Sequence, residues 1–281
     1  MKISMVASSS IGYPLPEGAL ESHEMREVEG AFSRLAMLGY DGVELSIEEP
    51  FRTEARRISA ISERYGVEIP AIGTGLIYVR RRLSLSEPEE YKRARAVKML
   101  TRTIEIAACL NSLVIVGLVR GKVVSQRKRM EKFRRSMREC DGAAEREGVQ
   151  LAVEPLNRYE ADNINNVEEA LRLISDLNLG RTGLLLDTFH MNIEERSVED
   201  AIGRAGGRLV HVHIADSNRL SPGKGHMQFG GVIKAIAEVG YDRYLSAEIL
   251  ASPKPVMAAR ITIGYLRELL AKYPHGTTSS T

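Results

Sequence analysis

Residues 39–45 read Gly-Tyr-Asp-Gly-Val-Glu-Leu, and residues 240–245 read Gly-Tyr-Asp-Arg-Tyr-Leu. In each, a glycine closes an amphipathic stretch and a short run of strand-forming residues begins, the pattern of a chain returning from helix to strand. An echo two hundred residues apart is what a repeated βα unit leaves behind. The same rhythm fills the chain on either side of both stretches. Short runs rich in Val, Ile and Leu predict strands over 2–7, 42–46, 68–73, 112–117, 150–154, 183–187, 209–214 and 244–248. Between them the apolar residues recur at steps of three and four. Met25, Val28, Phe32 and Leu35 form one such helical face, closed by Gly39. Met130, Phe133, Met137, Cys140 and Ala144 form another before Gly148, and Val167, Ala170, Leu171, Ile174 and Leu177 a third. Eight strands, each followed by a helix, match the size of a (β/α)8 barrel, typically near 250 residues. An open doubly wound sheet is the alternative, but no GxGxxG follows the first strand. We therefore expect an α/β fold, a single-domain TIM barrel over residues 1–275, with 276–281 as a frayed polar tail.

Composition narrows the partners. The chain has 281 residues, with 39 Lys+Arg against 37 Asp+Glu and a formal charge of +2. That excess is too small for a nucleic-acid footprint or a polybasic membrane anchor. Small neutral or weakly anionic ligands fit better. No apolar run approaches the roughly 18 residues a membrane span requires, and the first residues lack the pattern of a secretory signal. A soluble, cytoplasmic protein is expected. The two cysteines, Cys109 and Cys140, fall in expected helices without CxxC spacing, and both are expected to be small core residues.

The informative acids stand at the ends of consecutive expected strands. Glu154 ends the fifth, Asp187 the sixth and Glu248 the eighth, while His213 lies near the end of the seventh. The steps of 33, 26 and 35 residues each span one βα unit. In a barrel, those strand ends converge on one mouth. Any one acid there could cap a helix or pair with an arginine; four ligand-type residues at successive strand ends point instead to a shared cation. Three carboxylates at one point repel unless a cation or protons compensate them. Three oxygens and one imidazole suit Mn²⁺, Co²⁺ or Mg²⁺ better than a thiolate-preferring ion. The loops add polar groups suited to a small polyol: Glu160 in Glu154-Pro-Leu-Asn-Arg-Tyr-Glu160, His190 in Asp187-Thr-Phe-His190, and Arg219 six residues past His213.

EPLNRYE, DTFHMNIEE, HVHIADSNRLSPGKGH and the late AEI together resemble the D-tagatose 3-epimerase family of ketose 3-epimerases, within the xylose isomerase-like barrels. The likeness spans the chain in architecture and concentrates in residues 150–250. It implies epimerisation of a free ketohexose or ketopentose, such as D-tagatose, D-psicose, D-fructose or L-ribulose, at C3 through a cis-enediolate. It implies one divalent metal, Mn²⁺ first, held by Glu154, Asp187, His213 and Glu248, with Glu154 and Glu248 exchanging protons. Glu160, His190 and Arg219 match the family residues that hold the substrate. A homodimer or homotetramer is implied as well. An aldose–ketose isomerase of the hydroxypyruvate isomerase type, or a cyclic polyol dehydratase, would use the same site. The related repair endonucleases carry several metals and need histidines on early strands, which this chain lacks. A sugar-binding barrel without turnover is a further alternative.

Other polar residues have plainer readings. His211, two residues before His213, faces the same way and is expected to be a hydrogen-bonded core histidine. His226 fits a loop-ordering role at least as well as a substrate contact. Residues 80–82 and 127–129, both basic runs, are expected on solvated helix faces or subunit contacts. With no Trp and five Phe, the chain departs from the aromatic lining that the resembled family often places at the far end of the sugar.

Overall fold

β1 (Lys2–Ser8) lies between β3 (Gly42–Ser46) on one side and β9 (Tyr244–Ala247) on the other, and that second pairing closes the sheet into a barrel. The computed structural model describes residues 1–8, 12–15, 24–123 and 127–273. From β3 the barrel runs through β4 (Ala71–Gly73), β5 (Leu113–Val116), β6 (Leu151–Val153), β7 (Thr182–Asp187) and β8 (Leu209–Ile214) to β9, every pair parallel. The expected (β/α)8 barrel is therefore present. A two-residue β2 (Tyr13–Pro14) pairs with the end of β1 and was not expected. The expected tail at 276–281 lies outside the described residues.

Several strands are shorter than their apolar runs. The expected strand 68–73 becomes Ala71–Gly73, because Pro70 has no N–H for the ladder and only an isolated bridge links Glu68 to Gly42. Glu154 and Glu248 fall one residue past β6 and β9. That offset puts both carboxylates in the mouth rather than in the ladder.

The helical faces read from period are the buried ones. Met25, Val28, Phe32 and Leu35 line the core side of Met25–Leu38, and Gly39 ends that helix with a φ of 88°. Phe133, Met137, Cys140 and Ala144 are buried on Arg127–Glu147. Phe133 is fully enclosed, and Phe133→Ala is expected to cost about 3–5 kcal/mol in urea unfolding, because the cavity would not fully collapse. Cys109 departs from expectation: it is exposed, whereas Cys140 is buried. On Glu90–Leu110 the buried stripe runs through Thr103, Ile104, Ile106, Ala107 and Leu110, and Cys109 points away from it. Arg81 meets Glu48 and Glu49, and Arg127 meets Glu131 on its own helix, so these basic residues lie on charged outer faces. No helix among the described residues is long and apolar enough to cross a membrane.

One irregularity bears on the site. Leu184 pairs with Leu209 but Leu185 pairs with His211, so Val210 is an extra residue, a bulge in β8. A bulge shifts the in–out alternation by one residue and re-aims the side chains beyond it. Val210 packs with Ala71, Leu113, Ile115, Ala152 and Leu185 in a small cluster apart from the main core. The next residues, His211 and His213, reach across to Glu44 on β3.

Candidate active site

Glu154, Asp187, His213 and Glu248 come together at the C-terminal mouth, each offering a ligand atom within 4.8 Å of the others. His213 Nδ1 stands 3.6 Å from Glu154 Oε1 and 3.6 Å from Glu248 Oε2. Asp187 does two jobs. Its Oδ1 accepts from the Phe189 N–H and caps the helix Thr188–Glu194, while Oδ2 has no hydrogen-bond partner. Glu154 Oε1 and His213 Nδ1 are likewise buried without partners. Unsatisfied buried polar atoms are costly, and three of them converging on one point are what a cation would satisfy. The donor set of carboxylates and one imidazole fits a hard or borderline divalent ion.

Electrostatics agree. Burial, followed by the charge of Glu248, pushes the Asp187 carboxyl well above the ordinary aspartate range. Burial also raises Glu154, with Glu248 adding to it against the pull of His213. Burial would raise Glu248 too, but the charges of His213 and Arg219 outweigh it and hold that carboxyl low. This crowding of like charge is the conflict that a divalent ion relieves.

Asn157 ties Glu160 and His190 together at this mouth. Its Nδ2 is 3.0 Å from Glu160 Oε1 and 2.7 Å from His190 Nδ1, and its backbone N–H also faces that nitrogen at 3.4 Å. Two donors on Nδ1 make it the acceptor, so the imidazole proton sits on Nε2. Nε2 is buried, without a partner, 3.5 Å from Asp187 Oδ2. Burial and the Arg219 charge lower His190 to about 3, leaving it a neutral hydrogen-bond donor aimed into the site. Arg219 donates through Nη2 to Glu248 Oε2 at 2.6 Å and through Nη1 to Glu160 Oε1 at 3.0 Å, with its guanidinium over the Phe189 ring. All seven expected site residues thus meet at one mouth. His226 does not line it; it is exposed and its Nδ1 lies 3.0 Å from Ser217 Oγ, a contact that ties the loop 217–226 together.

The cavity at this mouth measures about 260 Å³. Leu76, Val79, Leu118 and Leu156 form its apolar wall, and among the described residues no Phe or Tyr lines it. A larger hollow of about 630 Å³ opens at the other end of the barrel beside Lys2, Glu68, Arg181 and Arg243. The four-ligand cluster lies at the smaller cavity, so chemistry rather than size identifies the site.

The sequence profile of the xylose isomerase-like TIM barrels matches residues 32–269. The chain belongs to this family. D-psicose 3-epimerase of Ruminiclostridium cellulolyticum is 30% identical over 219 residues, covering 74% of this xylose isomerase-like barrel and 73% of the relative. D-psicose 3-epimerase of Enterocloster bolteae is 42% identical over 107 residues, and there the match spans 38% of this chain and only 36% of the relative. A solved L-ribulose 3-epimerase shares the fold with a TM-score of 0.83, at 24% identity over 96% of this chain and 95% of that one. These relatives are named as sugar epimerases, and this xylose isomerase-like barrel is an enzyme of the isomerase class.

Four residues of the barrel's mouth escaped the sequence reading. Asn157 lay inside a quoted motif, but its bonds to residues 160 and 190 could not be read from spacing. Gly117 leaves room for Glu154, whose Oε2 would lie 2.5 Å from an added Cβ. Arg120 is buried, donating from Nε to the Gly117 carbonyl and from Nη1 to those of Asn163 and Ile164. Burial lowers it to about 10 despite nearby Glu154, so it remains a cation clamping the loops after β5 and β6. Glu44 had one available signal: an acid in the middle of the apolar run of β3, a place where a buried charge needs a partner.

Proposed function

We propose that this protein is a metal-dependent ketose 3-epimerase acting on free ketohexoses or ketopentoses, with D-tagatose, D-psicose, D-fructose and L-ribulose as the substrates to try. The observation that carries the reading is the pair of glutamates, Glu154 and Glu248, on strands separated by β7 and β8 and facing a common point. A divalent ion held by Glu154, Asp187, His213 and Glu248, Mn²⁺ first and Co²⁺ or Mg²⁺ as alternates, would supply Lewis acidity beside the carbonyl when bound. Inverting a carbinol centre next to a carbonyl needs a proton removed from one face and another returned to the opposite face. One glutamate takes the C3 proton and the other delivers one across the plane of the resulting enediolate. The neutral His190 Nε2–H and the Arg219 guanidinium donate to substrate oxygens as negative charge grows on them. Glu160 orients Arg219 from behind.

A free sugar suits the lining. Among the described residues of the cavity, Arg219 is the sole arginine or lysine, and it is already engaged by Glu160 and Glu248. A phosphate would find no second one there. Cytoplasmic location and a homodimer or homotetramer belong to the same proposal, through the family resemblance.

The deciding experiment reconstitutes metal-stripped protein with each ion and offers the four ketoses in deuterated water. A metal-dependent C3 epimer carrying one deuterium at C3 is expected. Aldoses, dehydrated products or tight binding without turnover would replace the proposal with the isomerase, dehydratase or binding-protein reading. Gly117→Ala should keep the fold yet lower kcat about 10²-fold, since its methyl displaces Glu154 from the reacting centre. An unchanged kcat would remove Gly117 from this account.

A further inference from the structure

We propose that Glu44 is a positioning residue for this site: hydrogen-bonded by two imidazoles of β8, it holds His213 with Nδ1 bare toward the metal-binding carboxylates. This deepens the proposed function and rests on its metal reading.

His213 Nε2 lies 3.0 Å from Glu44 Oε1 and 3.1 Å from Oε2, and His211 Nε2 lies 2.8 Å from Oε2. All three side chains are buried, at 1–2% exposure. The two rings meet edge to face, with centroids 5.4 Å apart. An ionised carboxylate can only accept, so each Nε2 must carry its proton. Once an ion displaces the proton that the surrounding carboxylates favour on the metal-free ring, the Nδ1 lone pair of His213 is the free donor, and Nδ1 is the atom with no partner that faces Glu154 and Glu248. His211 completes the device. With one donor, a carboxylate can swing about its stem; with donors from two rings two residues apart on the same strand, Glu44 is pinned. The bulge at Val210 comes immediately before this pair and sets the phase that turns both rings toward β3.

The orienting partner of a ligating histidine affects metal affinity about 10–100-fold. A carboxamide at position 44 still accepts through oxygen, but its NH2 confronts one imidazole N–H with another donor. One ring must then change tautomer or turn away.

The test uses the full chain, stripped of metal, as wild type, Glu44→Gln, Glu44→Asp and His211→Leu. Free Mn²⁺ is counted by electron paramagnetic resonance during titration, and Co²⁺ absorption reports ligand geometry. Wild type should take one ion. Glu44→Gln should bind about 10–100-fold more weakly, with an altered Co²⁺ spectrum. Glu44→Asp should recover part of the affinity. In Mg²⁺-loaded, ¹⁵N-histidine-labelled protein, His213 should show a protonated Nε2 and an unprotonated Nδ1. If wild type binds no ion, the metal reading of the function falls and this proposal with it. If wild type binds one ion and Glu44→Gln binds equally well, the positioning role is overturned and the function stands. Two ions per wild-type chain would show that Glu44, His211 and His213 form a second cation site, which also overturns it. Should Glu44→Gln not fold, His211→Leu decides, because it leaves Glu44 a single donor; wild-type affinity there counts against the proposal.

Discussion

Glu154→Gln and Glu248→Gln, each at saturating metal, should lower C3 epimerisation by about 10²–10⁴-fold, the usual loss on removing a general acid or base. The two variants should also fail in complementary ways. If each glutamate serves one face of C3, Glu154→Gln leaves Glu248 able to exchange the C3 proton of the epimer it faces without inverting it. Glu248→Gln should exchange the other epimer instead. Following deuterium into each recovered ketose by proton NMR separates the patterns. A one-base enzyme would lose exchange from both epimers with one variant and keep near-normal turnover with the other. Because Arg219 donates to Glu248 Oε2 at 2.6 Å, Arg219→Lys should chiefly weaken the Glu248 side. Lysine offers a point charge where guanidinium offers a planar fork shared with Glu160.

The second large effect is on stability. At 100 times its dissociation constant a bound ion adds about 2.7 kcal/mol, or about 4–5 °C in Tm for a chain of this size. The gain should depend on pH with a definite sign. In the metal-free fold, Asp187 and Glu154 are raised, first by burial and then by Glu248. A carboxyl with a raised folded-state pKa binds a proton that the unfolded chain releases near pH 4. Its contribution is therefore present in acid and lost as pH climbs through the raised value. Glu44 has the opposite sign: burial would raise it, but His213 and His211 hold it at about 2. That contribution is lost only in strong acid, below this window. His190 and His211, both held low first by burial, contribute stability that rises with pH up to the ordinary histidine range, in stripped and loaded protein alike, so it is the Tm gap between the two forms that should widen as pH climbs above about 4. Scanning calorimetry with and without Mn²⁺ reads this directly; a gap that stays constant or narrows would contradict the crowded-carboxylate picture.

What could be read from the sequence was whatever repeats along the chain. Strand runs, helical faces and the glycines after helices have fixed periods, so the barrel and the places of residues 154, 187, 213 and 248 followed from counting. What escaped depends on contacts between distant strands. Glu44 meets histidines 167 and 169 residues away, a pairing that no local pattern encodes. His211 was correctly assigned to a hydrogen-bonded interior, but its partner could not be named. Nothing local to Arg120 reveals that the carbonyls of Asn163 and Ile164 accept from its guanidinium. Cys109 was misassigned because a thiol's habit of burial was weighed above its angle on the helix, where Ile106, Ala107 and Leu110 already hold the core side.

Closure of the barrel has a consequence for how the protein comes into being. The ligand-type residues at the mouth lie at the ends of β6, β7, β8 and β9, and β9 pairs on one side with β8 and on the other with β1 from the opposite end of the chain. During vectorial synthesis the first strand leaves the ribosome long before its neighbour exists. A nascent chain that stops short of Tyr244 holds at most three of the four donors. Long-range pairing of this kind carries its loop-closure cost ahead of its reward. A divalent ion that needs all four residues would therefore find its complete site only after β9 is in place and the two ends of the barrel have met.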